Sequence, residues 1–462
     1  MARHYDGGLC IKSFLSLAEK ISSMSGRNER GDDEAARLAG LVTYVSLSEV
    51  PYYLDRIAER TPLLLGPPGV GKSSVVRQYA ERKAKEAGRE FIQLTDQTLE
   101  AVAMNLDSFY VFFDVRLSEY VESDFLGFPE KRELLVEEAG GYARQTEVVA
   151  RYSPMAWAYI FTHPAAVGLI LFDEITNVVK PELQSIAFKI VLDRQIGERR
   201  ISEGVRIVAA GNLPEHSSVA QALPAPLINR FAILYIKPPE LEKWLSYIEE
   251  RRGGLHPLVA GFLARSAGEA FLKLPADPET VYNFPSPRSW DAFNADITRL
   301  AREHGAGNDP EILRYVRQVD LQVIAQAHLG PELAQELVAF AMLGKYVPSY
   351  DEVAADPSAI TRAADRAEAE SRDGRLVRVG VIYYTLSYVA KEAARRQDRE
   401  TVSTVAAYLA QVGSEYRAAF NAMLPSSLRA QAAEAQRAAG ALERLKEDWA
   451  AALEQSGRRR RR

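Results

Sequence analysis

Six short apolar runs punctuate the chain between residues 62 and 237: PLLLG, EFIQL, FYVFFDV, GLILFDE, VRIVAAGN and FAILYIK. They are rich in aliphatic and aromatic residues, and the segments between them carry apolar residues at helical spacing. A strand covered on both faces reads as a continuous apolar run rather than an alternating one. The pattern therefore predicts an α/β fold, a mainly parallel sheet with helices on both faces.

At 462 residues the chain is too long for one core. Hydrophobic residues make up 47% and charged residues 26%, the balance of a globular protein with a sizeable interior. Strand signals fade past Pro238 and Pro239, and helical periods dominate from Leu241 to about Lys345. A polar stretch, VPSYDEVAADPS, then leads to RLVRVGVIYYTLSYVAKEAARR and to the Ala-rich RAQAAEAQRAAGALERLKEDWAAAL. The expected organisation is a helical N-terminal extension (1–45), an α/β domain (46–238), an all-helical lid (239–345) and a helical C-terminal segment (346–462). Within the α/β domain, KRELLVEEAGGYARQTEVVARY reads as an inserted hairpin near residues 131–152. Its turn falls at Gly140 and Gly141, whose backbones accept positive φ.

Several function classes lose support at once. The single cysteine, Cys10, has no intramolecular disulfide partner, and no cleavable signal or bilayer-spanning apolar run is seen, so a cytoplasmic location is expected. Six histidines without HExxH, and no CxxC, leave zinc without a ligand set. A net charge of −5 opposes a surface devoted to nucleic acid. The run Arg458 to Arg462 is a solvated tail or a polyanion-binding arm.

The first apolar run enters GPPGVGKSS, which fits G-x-x-x-x-G-K-[ST] from Gly66 to Ser73 and is followed at once by the helical SVVRQYAERKAKEAG. The loop Gly66, Pro67, Pro68, Gly69, Val70, Gly71 presents backbone N–H groups to phosphates, and the helix N-terminus adds partial positive charge through Lys72, Ser73 and Ser74. Lys72 is suited to β and γ oxygens and Ser73 to Mg²⁺. ATP and Mg²⁺ are the cofactors this implies.

The run GLILF delivers Asp173 and Glu174 to a strand's carboxyl end, where ligands of open α/β sheets bind. An acidic pair there is a helix N-cap or, beside a phosphate loop, hydrolysis machinery: Asp173 for the metal's shell, Glu174 to accept a hydrogen bond from the attacking water. VRIVAAGN ends in Asn212, which opens a turn or polarises the same water. PSPRSW sets Arg288 at a helix start, either in a surface ion pair or within reach of the γ-phosphate. Arg230, in PLINRF, stands before an apolar strand. Its guanidinium stays charged and requires an anion or solvent.

This order of motifs resembles the AAA+ ATPases, with Asn212 in the sensor-1 position, Arg230 as the arginine finger and Arg288 in the sensor-2 position. ESDFLGFPE before the hairpin, LFDEITNVVKPELQSIAFKIVLDRQ, GNLPEHSS and LPAPLINRF, together with SPR, are similar to the MoxR-type branch. The resemblance covers about Val50 to Lys345. It implies a homo-oligomer, usually a hexameric ring, in which Arg230 serves the neighbouring subunit, and a chaperone-like ATPase acting on a protein client. It also implies a von Willebrand factor A type adaptor. The hairpin, with Tyr142 at its turn, lines the central pore or packs on its own subunit. A DNA motor or initiator is the alternative, which the terminal arginines favour and the net charge opposes. A non-hydrolysing nucleotide sensor is opposed by Lys72, Glu174, Asn212 and Arg230, and a GTPase by the lack of NKxD. The segment TDQTLEAVAMNLDSF and the first 45 residues depart from the branch.

Overall fold

The structure, a computed structural model, describes residues 42–137, 144–153, 155–177, 181–213, 223, 228–275, 282–371 and 374–441. Cys10 and the rest of the expected N-terminal extension up to residue 41, the hairpin turn at Gly140, Gly141 and Tyr142, and Arg458 to Arg462 lie outside the described residues.

Among the described residues, β1 (Tyr44–Val45), β2 (Thr61–Leu65), β3 (Glu90–Gln93), β4 (Phe109–Arg116), β7 (Gly168–Asp173), β10 (Val205–Gly211) and β11 (Phe231–Ile236) form one sheet. Its order is β1-β11-β2-β10-β7-β4-β3, and every pairing is parallel. The six apolar runs supply six of these strands. The seventh, β1, comes from residues with no strand pattern of their own; two residues suffice because β11 supplies the ladder. Two antiparallel ribbons stand apart from the sheet: β5 (Phe128–Glu137) with β6 (Arg144–Ser153), and β8 (Gln195–Ile196) with β9 (Arg199–Arg200).

The period of two along each strand separates the residues into two cores. On one face Leu63, Leu65, Phe113, Ile170, Phe172 and Ile207 pack against the helices α5 (Ala156–Thr162) and α6 (Pro181–Asp193). On the other, Leu64, Phe112, Leu171, Val208 and Leu234 pack against α1 (Val50–Arg56) and α2 (Lys72–Glu86). Short helices α3 (Leu99–Met104) and α4 (Glu122–Leu126) flank β4 in the chain. β7 is buried along its whole length, as its unbroken apolar run requires.

From Leu241 onward the described chain is helical. The helices α7 (Leu241–Arg252), α8 (Pro257–Arg265) and α9 (Pro287–Glu303), with the long helix Gly374–Arg396 and its neighbours, close around a third core. Phe262, Trp290, Phe293, Phe340 and Tyr384 are fully buried at its centre. Phe340 and Tyr384 stack with ring centroids 4.9 Å apart, and the Tyr384 hydroxyl donates to the Pro310 carbonyl at 2.8 Å. The α/β fold with a helical continuation is thus the one the hydrophobic pattern predicts.

β4 and β7 approach so closely at Gly168 that a Cβ there would stand 2.1 Å from the Val111 carbonyl oxygen. Backbone cannot yield as a side-chain tip does. Gly168→Ala is expected to lower stability by about 1–3 kcal/mol, read as a shift in the urea unfolding midpoint; an unchanged midpoint would contradict this packing.

Candidate functional site

The site is assembled where β2, β10 and β7, three adjacent strands, release their chains at the carboxyl edge of the sheet. β2 leads through Gly66 to Gly71 into α2. Gly69 and Gly71 have φ of 73° and 107°, in the left-handed region that favours glycine, so the loop can wind back on itself before the helix starts at Lys72.

Lys72 is buried. Its ammonium donates to the carbonyls of Gly66 (2.9 Å) and Pro67 (2.7 Å) and to Oδ1 of Asn212 (3.0 Å). Burial lowers its pKa to about 8, with Asp173 and Glu174 opposing the change and Arg288 adding to it. Ser73 Oγ donates to Asp173 Oδ2 at 2.5 Å, and the other Asp173 oxygen accepts the Glu174 backbone N–H at 2.9 Å. The latter residue has φ of 54°, a conformation costing a non-glycine residue on the order of 1–3 kcal/mol. Its carbonyl accepts the Asn177 N–H at 2.8 Å, which turns the chain away just past β7. Asn212 is held from behind by its own N–H, donated to Thr176 Oγ1 at 2.9 Å.

Arg288 reaches the loop from the helical region. Ser286 caps α9 by accepting the Ser289 N–H at 3.2 Å, with Pro287 in the first turn, and the Arg288 backbone N–H donates to the Gly69 carbonyl at 3.2 Å. The helix start is seated on the phosphate loop of the same chain. Arg288 thus stands beside the phosphate loop of its own chain.

Lys72, Ser73, Asp173, Glu174, Asn212 and Arg288 are therefore brought together, and Arg230 is not. It precedes β11, whose first residue, Phe231, pairs with Thr61 at the start of β2. The phosphate loop leaves the other end of β2, roughly 15 Å away for a five-residue strand.

A further residue joins the site that the sequence reading missed. Asp114 lies on β4, next to β7 in the sheet, and its Oδ1 is buried without a hydrogen-bond partner among the described residues. Burial, with the Asp173 charge second, raises its pKa to about 6. The available signal was a carboxylate inside the apolar run FYVFFDV, where no amphipathic pattern calls for one. The site's donor set is of hard oxygens: the hydroxyl of Ser73 and the carboxylate of Asp173 in contact. That is a set suited to Mg²⁺, which takes one or two protein oxygens and completes its shell with phosphates and water.

A carboxyl whose folded pKa exceeds its unfolded value binds its proton more tightly in the folded state, so stability falls as pH rises between the two. For Asp114 that window runs from its ordinary 3.8 to about 6. Asp114→Asn, free of metal and nucleotide, should be more stable than the parent at pH 7 by on the order of 1–3 kcal/mol. The gain should vanish below about pH 4. A gain of equal size at both pH values would show that charge is not its source.

No family model matches the sequence, and no curated protein matches it. Solved structures with some likeness include NtrX from Brucella abortus in complex with ATP, at 15% identity over 86% of this chain and 76% of that one, with a TM-score of 0.27. AMPPCP-bound DnaA from Aquifex aeolicus is 14% identical over 74% of this chain and 92% of that one, with a TM-score of 0.27. PCH-2 of C. elegans is 14% identical over 68% of each chain, with a TM-score of 0.25. Overlaps of that size add nothing to the chemistry of the site, which stands on its own geometry.

Proposed function

We propose that the chain is an ATP-hydrolysing AAA+ ATPase of the MoxR-like branch, forming a ring that remodels a protein client. The observation that carries the reading is the joint placement of Lys72, Ser73, Asp173, Asn212 and Arg288 around one phosphate loop. Four chain segments far apart in sequence converge there, each with a side chain that phosphate hydrolysis can use.

The roles follow from the contacts. Lys72 now spends its three N–H donors on two neutral carbonyls and an amide oxygen. Phosphate oxygens are stronger acceptors, and an ammonium beside them regains the charge partner that burial denies it. Ser73 and Asp173 would hold Mg²⁺, which when bound neutralises phosphate charge. Glu174, just beyond Asp173 and turned by its left-handed backbone, is the residue to accept a proton from the attacking water, with Asn212 orienting that water. Arg288 serves the subunit whose loop it touches.

Arg230 is the finger acting on a neighbour. A residue at the amino edge of the sheet meets a nucleotide at the carboxyl edge only if that nucleotide belongs to another copy. Such a head-to-tail contact closes into a ring when its rotation permits. The hexamer, the von Willebrand factor A type adaptor and the cytoplasmic setting are carried by the family resemblance. Among the described residues no helix is long and apolar enough to cross a membrane.

Lys72→Ala is expected to weaken ATP binding by about 100-fold or more, measured with labelled nucleotide, since it removes the buried cation of the loop. Retained tight binding would remove the phosphate-loop assignment. Arg230→Ala should keep binding and lose turnover by roughly 10³-fold; hydrolysis at the parental rate would refute the finger. Turnover stimulated by duplex DNA in a salt-sensitive manner would instead move the client from protein to nucleic acid.

A further inference from the structure

At the amino edge of the sheet, opposite the phosphate loop, lies a cavity of about 510 Å³. Among its lining residues are Arg60, Arg194, Arg206 and Arg230, against two carboxylates, Glu59 and Asp193. The sheet itself gathers three of the arginines. Phe231 pairs with Thr61, so Arg230 and Arg60 enter β11 and β2 side by side. On the other side of β2, the register Ala209 to Leu63 sets Arg206 of β10 beside Arg60. Adjacent strands are about 4.8 Å apart, so three guanidinium-bearing residues stand abreast.

The four arginines fall into two kinds. Arg194 and Arg206 are anchored: Arg194 donates to the carbonyls of Ser202 (2.8 Å) and Val205 (2.7 Å), and Arg206 donates to the Ile57 carbonyl. Carbonyls satisfy their N–H groups without cancelling their charge. The Arg206 Nε is in addition buried with no acceptor among the described residues. Arg60 and Arg230 are exposed, and among the described residues neither makes a hydrogen bond or an ion pair. Neighbouring cations repel, and the two acids of the cavity make no ion pair with them among the described residues. An anion of more than one charge would answer several of these guanidinium groups at once.

We propose that Arg60 is a second guanidinium, beside Arg230, that contacts the terminal phosphates of a nucleotide held by a neighbouring copy of this chain. The inference rests on the ATPase reading given above and adds to it a residue and a built pocket. A planar fork of donors matches phosphate oxygens, and two forks abreast span adjacent phosphoryl groups. The chain's own nucleotide cannot serve, because its loop opens at the far edge of the sheet. Arg194 and Arg206 form the positively charged floor and position the pair without touching phosphate.

The test uses the full chain and ATP. Arg60 is exposed and, among the described residues, unpaired, so Arg60→Ala has little packing to lose. Its turnover should fall roughly 10²-fold with ATP affinity unchanged, as expected for loss of one preorganised donor to the transition state. Arg60→Lys, which keeps charge but loses the fork, should recover part of that loss. Co-expressed Arg60→Ala and Lys72→Ala chains should hydrolyse several-fold faster together than the sum of either alone, because each supplies the half the other lacks. Parental turnover in Arg60→Ala, or a loss that Lys72→Ala chains do not complement, would overturn the proposal. Arg230→Ala with Lys72→Ala is run alongside. Complementation there and not with Arg60→Ala sinks only the role of Arg60, whereas a parental chain that hydrolyses no ATP sinks both readings. Protection of Arg60 from phenylglyoxal by inorganic pyrophosphate, in dilute monomer and with turnover of Arg60→Ala intact, would make the cavity a site for free anions and likewise overturn it.

Discussion

The ammonium of Lys72 meets the side-chain oxygen of Asn212 across 140 residues of chain. That single contact depends on almost everything else in the α/β part. It requires β2 and β10 to be neighbours in parallel register, so that both chains leave the sheet at the same level. It also requires a loop tight enough to bring its own carbonyls onto the lysine, and hence the left-handed backbone at Gly69 and Gly71. Burial makes the contact consequential. A cation withdrawn from water holds its proton less tightly and offers its charge more strongly to whatever anion arrives.

The same register gives the sheet two chemically distinct edges. At the carboxyl edge, strand ends contribute Asp173, Glu174 and Asn212, with Asp114 one strand over, its Oδ1 buried without a hydrogen-bond partner among the described residues and its Oδ2 3.9 Å from Arg116. At the amino edge, strand starts contribute Arg60, Arg206 and Arg230. Parallel strands cannot bring the two edges together within one chain; only a second copy can set one against the other. The helical region adds a different kind of coupling. The capped start of α9 rests on the Gly69 carbonyl, which ties those helices to the phosphate loop by a direct hydrogen bond.

Much of this was legible because the signals are local. An unbroken apolar run such as GLILF has few ways to be buried except as a central strand, and glycines at fixed spacing before a lysine and a serine prescribe a loop into a helix. The serine before PR also marks a helix start, and Ser286 does cap α9. What escaped notice has a common cause. β1 is two residues long and takes its conformation from β11. Asp114 is an ordinary acid in the sequence until β7 is laid beside it. Arg60 and Arg206 are single charges at the ends of apolar runs, unremarkable until their strands are paired.

The amino-acid sequence by itself determined the alternation of strand and helix, the phosphate loop and the types of side chain available to it, because periodicity and backbone preference act over a few residues. The tertiary structure alone decided which side chains share a site. Strand order and register place Asn212 on Lys72, seat Arg288 on its own loop and send Arg230 to the opposite edge beside Arg60. Those are contacts between residues distant in the chain, settled by how the sheet pairs and not by any preference the separate segments carry.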